Sequence, residues 1–341
     1  MPVPVIHQTD IFHHHADPDD HWDLACQFAL SYIGCTDLKG ILIDYPPTAD
    51  NYGWDIGDPA IASVSQLNYI TGLAVPVAVG ESEKVRCEDD VNKALARKPL
   101  NSGVSMVLKL LREAEEPTVI HIVGSCRDIA LAIHADRDLF RKKCKAIYLN
   151  AGTGYDDTKL EYNVALDAWS YKTIFDAPCP LYWMPCFHIT EHMEVGEYGT
   201  YYCFRQKEIL SVLSPQMQNY FAYMLGNVSD QRWLSYLSLP VNRRILDAHG
   251  ELCRNMWCTG GFLHMVGKGV DKTGSLISLD DAAESSIFEF QSVDISCDTD
   301  GRTAWHLSEN KTERYIYHVK DQKHYAEAMT NAMKSLLQQL P

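Results

Sequence analysis

The amino-acid sequence predicts an α/β protein: one domain over residues 1–341, with a mainly parallel, Rossmann-like sheet covered by helices on both faces. Three observations predict it. Short apolar runs of strand length alternate along the chain with longer segments whose apolar residues recur at helical spacing. Runs such as Ile41-Leu42-Ile43 and Val119-Ile120-His121-Ile122 are apolar almost throughout, the pattern of strands buried on both faces. No internal repeat, low-complexity tract or linker divides the 341 residues, and a hydrophobic content of 46% is enough for a large core.

In chain order, Val3 to Ile6 is a short strand, and Leu24-Ala25-Cys26-Gln27-Phe28-Ala29-Leu30 belongs to a helix from Asp23 to about Ile33. Leu38 to Asp44 is the next strand, stopped by Tyr45-Pro46-Pro47, and it completes a βαβ unit. The loop from Pro46 to about Pro59 carries Asp50, Asn51, Trp54 and Asp55; being polar and aromatic together it fits a binding loop, and still more readily an ordinary surface loop. Residues 60–69 read as a helix, 75–80 as a strand, 81–100 as a charged loop and 102–116 as an amphipathic helix. A strand from Thr118 to Ser125 leads into a helix at 128–133, and His121 within it is expected to be a satisfied core histidine. The next strand, 146–150, ends in Asn150 before Ala151-Gly152-Thr153-Gly154. If the chain after Lys159 is extended, Glu161 and Asn163 point the same way and could hold adjacent hydroxyls of a sugar. A helix to Phe175, a strand at 180–183, a helical stretch at 206–238, strands at 293–296 and 314–319 and a helix at 325–340 complete the pattern.

A formal net charge of −15 argues against a nucleic-acid partner, because affinity for a phosphate backbone comes mainly from Lys and Arg. Eleven cysteines at irregular spacing, with no paired CxxC motif, read as reduced thiols of a cytoplasmic protein. A basic region followed by an apolar stretch, the mark of a signal peptide, is missing from the N-terminus, and no apolar run is long enough to span a bilayer; no membrane partner is expected.

The densest chemistry lies in His13-His14-His15-Ala16-Asp17-Pro18-Asp19-Asp20-His21-Trp22-Asp23, which packs four carboxylates and four imidazoles into eleven residues. It falls between the first strand and the first helix, where α/β folds bind ligands. Asp17, Asp19 and Asp20 suit Ca²⁺ or Mg²⁺, while His13, His15 and His21 suit Zn²⁺. Three neighbouring carboxylates repel one another unless a cation or protons intervene.

Taken in order, these pieces resemble the inosine-uridine preferring nucleoside hydrolase family, which cleaves the N-glycosidic bond of ribonucleosides. The resemblance rests on the acidic loop closing in Asp19-Asp20, on Gly40-Ile41-Leu42-Ile43, on Val75-Pro76-Val77-Ala78-Val79-Gly80 and on Val123-Gly124-Ser125-Cys126-Arg127-Asp128-Ile129-Ala130. It rests above all on Glu161-Tyr162-Asn163 followed by Asp167-Ala168. It implies one Ca²⁺ held by an aspartate cluster, with Asp20, Asp17 and His13 as candidate ligands here. Asp17 and Asp19 are the candidate carboxylates for taking a proton from the attacking water, and Asp19, Glu161, Asn163 and Asn150 the candidate contacts to a nucleoside-like small molecule. Homo-oligomers are common in the family.

The sequence also departs from the family. Its Asp-x-Asp falls on Ile11 and His13, Cys258 stands where a late aspartate ligand belongs, and Arg127 stands where a backbone carbonyl meets the metal. These departures imply a different metal, such as Zn²⁺, or none. The alternative reading is a catalytically degenerate protein of the same fold that binds a ligand or serves as a scaffold, with the Arg127 guanidinium in place of the cation. His249 and His264 are the candidates for protonating the leaving base.

Overall fold

The computed structural model describes residues 1–15, 18–47, 57–155, 159–189 and 192–341. Its centre is a nine-stranded sheet. The strands are β1 Val3–Thr9, β2 Thr36–Ile43, β3 Val77–Val79, β4 Thr118–Ile122, β5 Cys144–Asn150, β6 Leu181–Met184, β7 Phe288–Cys297, β8 Thr303–Leu307 and β9 Arg314–Val319. Their order across the sheet is β8-β7-β9-β6-β5-β4-β1-β2-β3. From β3 to β9 all neighbours run parallel, and the β7–β8 hairpin adds an antiparallel edge. The mainly parallel sheet expected from the apolar runs is the one observed.

Alternation along the strands places apolar side chains on both faces. Val5 and Val119 enter one core cluster and Ile6 and Ile120 the other, and Tyr148 and Ile147 divide in the same way. The first cluster is completed by helices Asp19–Tyr32 (α1), Ile61–Thr71, Pro215–Leu225 and Gln322–Leu337, the second by Ser102–Glu113, Arg127–Ala135 and Ala168–Phe175. Helix α1 is buried almost all round, from Asp20 to Leu30, because it lies between the sheet and a second shell of helices.

Several local expectations are corrected. Helix α1 begins at Asp19, four residues before the expected Asp23, so the two aspartates form its first turn, where the helix dipole favours negative charge. The expected loop at 81–100 contains the helix Glu88–Ala96, which turns Val91 and Ala94 inward and carries Glu88, Asp89 and Asp90 at its N-terminus. The stretch read as helical from 206 to 238 is broken into Lys207–Leu210, Pro215–Leu225 and Trp233–Tyr236, because Pro215 can only open a helix, here capped by Ser214. Residues 161–167 are not extended: Glu161 caps a short helix, Tyr162–Leu166. The loop residues Asp50, Asn51, Trp54 and Asp55 lie outside the described residues. No disulfide joins the cysteines, and among the described residues no helix is long and apolar enough to cross a membrane.

Candidate functional site

The order β3-β2-β1-β4-β5-β6 reverses direction between β1 and β4, and ligands of open α/β sheets bind at the carboxyl ends of strands beside such a reversal. A cavity of ≈ 410 Å³ lies there. Asp10, directly after β1, lines it together with Asp19 and Asp20 from the first turn of α1. Val123 after β4, Asn150 at the end of β5 and Cys186 after β6 join them. The short helix behind the Glu161 cap supplies Tyr162 and Asn163, and loops add Phe12, Phe187, Met193, Trp257 and Cys258. The lining is therefore acidic and amide-bearing at the strand ends and aromatic on the loops.

Among the described lining residues none is basic. Burial pushes the Asp10 carboxyl well above the usual carboxylate range, and Asp20, Asp44 and Asp19 beside it raise it further. Asp10 is also hydrogen-bonded to Asp20, so one of the two must hold a proton unless a cation neutralises them. Asp20 Oδ1 accepts a bond of 2.6 Å from Thr9 Oγ1, which fixes its rotamer. Asn163 donates from Nδ2 to the Val123 carbonyl at 3.1 Å, and its Oδ1 is buried without a partner. Asn150 spends its amide nitrogen on Met184 O at 2.7 Å and Thr200 Oγ1 at 3.0 Å, so its oxygen is the atom left for a ligand. Glu161 accepts from Gly152 N at 2.9 Å and Asn163 N at 3.0 Å. Its carboxylate thus organises backbone as well as lining the cavity.

No family model matches the sequence, and no curated relative does. Solved structures do. Over 98% of this chain and 100% of the other, the fold is similar to a plant nucleoside hydrolase, with a TM-score of 0.53 at 16% identity. Over the same shares it is similar to the inosine-uridine preferring nucleoside hydrolase from Bacillus anthracis, with a TM-score of 0.52 at 13% identity. The chain has the nucleoside hydrolase fold. The effector protein XOO4466 is also similar, over 99% of this chain and 94% of that one, with a TM-score of 0.53 at 12% identity. At such identities the likeness is one of fold.

Within the nucleoside hydrolase fold, the structure brings together Asp19, Asp20, Glu161, Asn163 and Asn150 and adds Asp10, which the sequence reading passed over. The signal was available: Asp10 ends the first apolar run, and a carboxylate directly after a parallel strand sits where ligands bind. The eight residues between Asp10 and Asp19 hid it, because aligning on Asp19-Asp20 put the expected Asp-x-Asp on Ile11 and His13. His13 is not among the cavity-lining residues; its ring stacks on Tyr223 at 5.1 Å. His15 and His21 also lie outside the lining, with the His15 amide on Asn227 Oδ1 and His21 Nε2 3.1 Å from the Phe12 carbonyl. Asp17 lies outside the described residues.

Arg127 cannot replace a cation in the cavity. It is buried elsewhere, its Nε donating to Asp167 Oδ2 at 3.0 Å and its Nη1 to Glu81 O at 2.7 Å. Cys258 does line the cavity, and burial holds its thiol well above the ordinary range, so it brings no charge at neutral pH. Neither His249 nor His264 is in the lining; His264 is 2.8 Å from Tyr148 Oη, and burial lowers it to about 4.

Proposed function

We propose that the cavity hydrolyses the N-glycosidic bond of a ribonucleoside or related N-riboside. What carries this reading is the pairing, in one cavity, of the Asp10, Asp19 and Asp20 carboxylates with an unpartnered Asn163 oxygen and the aromatic side chains of Phe12, Tyr162, Phe187 and Trp257. Sugar hydroxyls need acceptors, and a nucleobase needs an aromatic face. Asp10 and Asp20, which would otherwise share a proton, are the residues that fit a hard divalent cation such as Ca²⁺. When bound, that cation lowers the pKa of a water and anchors the ribose diol.

The remaining roles belong to the chain. Asp19 is the carboxylate for accepting the water's proton or a ribose hydroxyl, with Asp17 proposed beside it from the sequence. Asn163 Oδ1 accepts a second hydroxyl, and Glu161 holds the backbone that carries Asn163. As C1′ becomes oxocarbenium-like, the fixed carboxylates stabilise the positive charge. A homo-oligomer is proposed from the resemblance alone, and light scattering reads it.

A second reading is favoured by Cys258 and by the absence of any imidazole among the described lining residues: a protein of this fold that binds the nucleoside without cleaving it. The experiment is base release from a panel of ribonucleosides with Ca²⁺ present, run beside calorimetric binding, on the wild type and Asp20→Asn. Release lost in the variant supports the hydrolase. Binding without release supports the second reading, and neither binding nor release overturns both.

A further inference from the structure

We propose that His7, Asp23 and His121 form a separate, closed binding site for a transition-metal dication of the Zn²⁺ class, beneath α1. The proposal does not depend on the hydrolase reading. β1 and β4 are in register with His7 opposite His121, and Asp23 on α1 faces them from the layer above. All three are fully buried, and one ligand atom from each lies within 4.8 Å of the others. Among the described residues no other group of three such side chains converges so closely.

The two imidazoles stack at 5.1 Å, with their Nδ1 atoms 3.1 Å apart. Hydrogen bonds and the ion-pair contact satisfy the cluster only in part. His121 Nδ1 faces both His7 Nδ1 and Gln27 Nε2, at 3.1 and 3.0 Å, although a ring nitrogen has one proton or one lone pair to offer. His121 Nε2 and Asp23 Oδ1 have no hydrogen-bond partner, and Asp23 Oδ2 meets only His7 Nε2, as an ion-pair contact at 3.0 Å. Buried polar atoms are otherwise paired as a rule, so these point to a missing cation.

The donor chemistry names its class. Two imidazoles and a carboxylate suit Zn²⁺ or Co²⁺, whereas Ca²⁺ and Mg²⁺ take oxygen shells. Burial lowers both imidazoles to about 3, keeping them in the neutral form that ligates, and raises the Asp23 carboxyl to about 6, a cost that a cation removes. Because all three side chains are fully buried, the site loads as the chain folds and acts as a staple. It ties together β1, β4 and α1, the elements that end or begin at Asp10, Val123 and Asp19-Asp20.

The test is elemental analysis of wild-type protein produced in medium supplemented with Zn²⁺ or Co²⁺ and dialysed against a chelator, with visible absorption of the Co²⁺ form. The expected result is stoichiometric metal and Co²⁺ ligand-field bands. Both should survive in Asp20→Asn and be lost in Asp23→Asn and in His7→Gln/His121→Gln. Wild-type protein with neither metal nor bands overturns the proposal without recourse to any variant that fails to fold, and so does metal retained in the double variant. Ca²⁺ alone, lost in Asp20→Asn, overturns it while leaving the cavity reading intact.

Discussion

Asp10 and Asp20 show how single side chains set the character of the cavity. Their carboxyl groups are held against each other where a cation would replace the shared proton, so Asp10→Asn or Asp20→Asn should weaken cation binding and lower kcat/KM for base release by roughly 10²-fold or more, read by calorimetry and initial rates. Cys258→Asp works in the opposite direction. It restores a charged oxygen donor where the buried thiol is neutral, and should tighten Ca²⁺ by roughly tenfold or more. Asp128 gives a pH signature. Burial and the neighbouring Asp44 push its carboxyl up to about 7, so the folded chain holds this proton more tightly than the unfolded one. Its contribution to stability is then full at low pH and is lost as pH rises from about 4 to about 7, by at most about 1.4 kcal/mol per pH unit. Asp128→Asn, which can still accept the Glu81 amide, should remove that slope in denaturant titrations across the window.

At the scale of elements, the helices around the cavity are placed by polar contacts as much as by packing. Arg127, at the start of its helix, is locked to Asp167 at the start of another, and both are buried. Removing one member leaves a charge uncompensated, so Arg127→Met should cost about 3–5 kcal/mol, and adding Asp167→Leu should recover much of it in a double-mutant cycle. Glu161 plays a related part for the short helix that carries Asn163. Loss of its cap in Glu161→Ala should cost about 1 kcal/mol and raise KM through displaced Asn163, whereas Glu161→Gln keeps one acceptor oxygen but turns an NH₂ toward the other backbone N–H, and should recover only part of the loss. Gly152 belongs to the same unit. Its φ is +85°, and a Cβ there would stand 2.2 Å from Tyr171 Oη.

For the whole molecule, the sheet reversal between β1 and β4 gathers into one cavity residues as far apart in the chain as Asp10, Asn150 and Cys258. Any ligand of that cavity binds only the folded chain. A nucleoside or Ca²⁺ at about 100 times its Kd should therefore add about 2.7 kcal/mol and raise Tm by a few degrees, read by calorimetry with and without the ligand. The same logic makes stability depend on Zn²⁺ if His7, Asp23 and His121 hold it, because those residues come together only when β1, β4 and α1 are assembled.

Local signals in the sequence were sufficient for the parallel α/β architecture: continuous apolar strands and periodic helices report burial, and burial on both faces leaves few other folds. The family resemblance also marked Asp19-Asp20, Glu161, Asn163 and Asn150, which line the cavity, although the local pattern started α1 at Asp23 and left Glu161 and Asn163 in an extended segment. What depended on the tertiary structure was every relation across elements. Asp10 joins the cavity because β1 ends beside the first turn of α1, and Arg127 leaves it because Asp167 lies within 3.0 Å of it. His121, expected to be a satisfied core histidine, meets His7 through strand register, 114 residues away along the chain. Periodicity records which face a side chain takes, but not which partner waits on that face, since that is fixed by packing between segments distant in sequence.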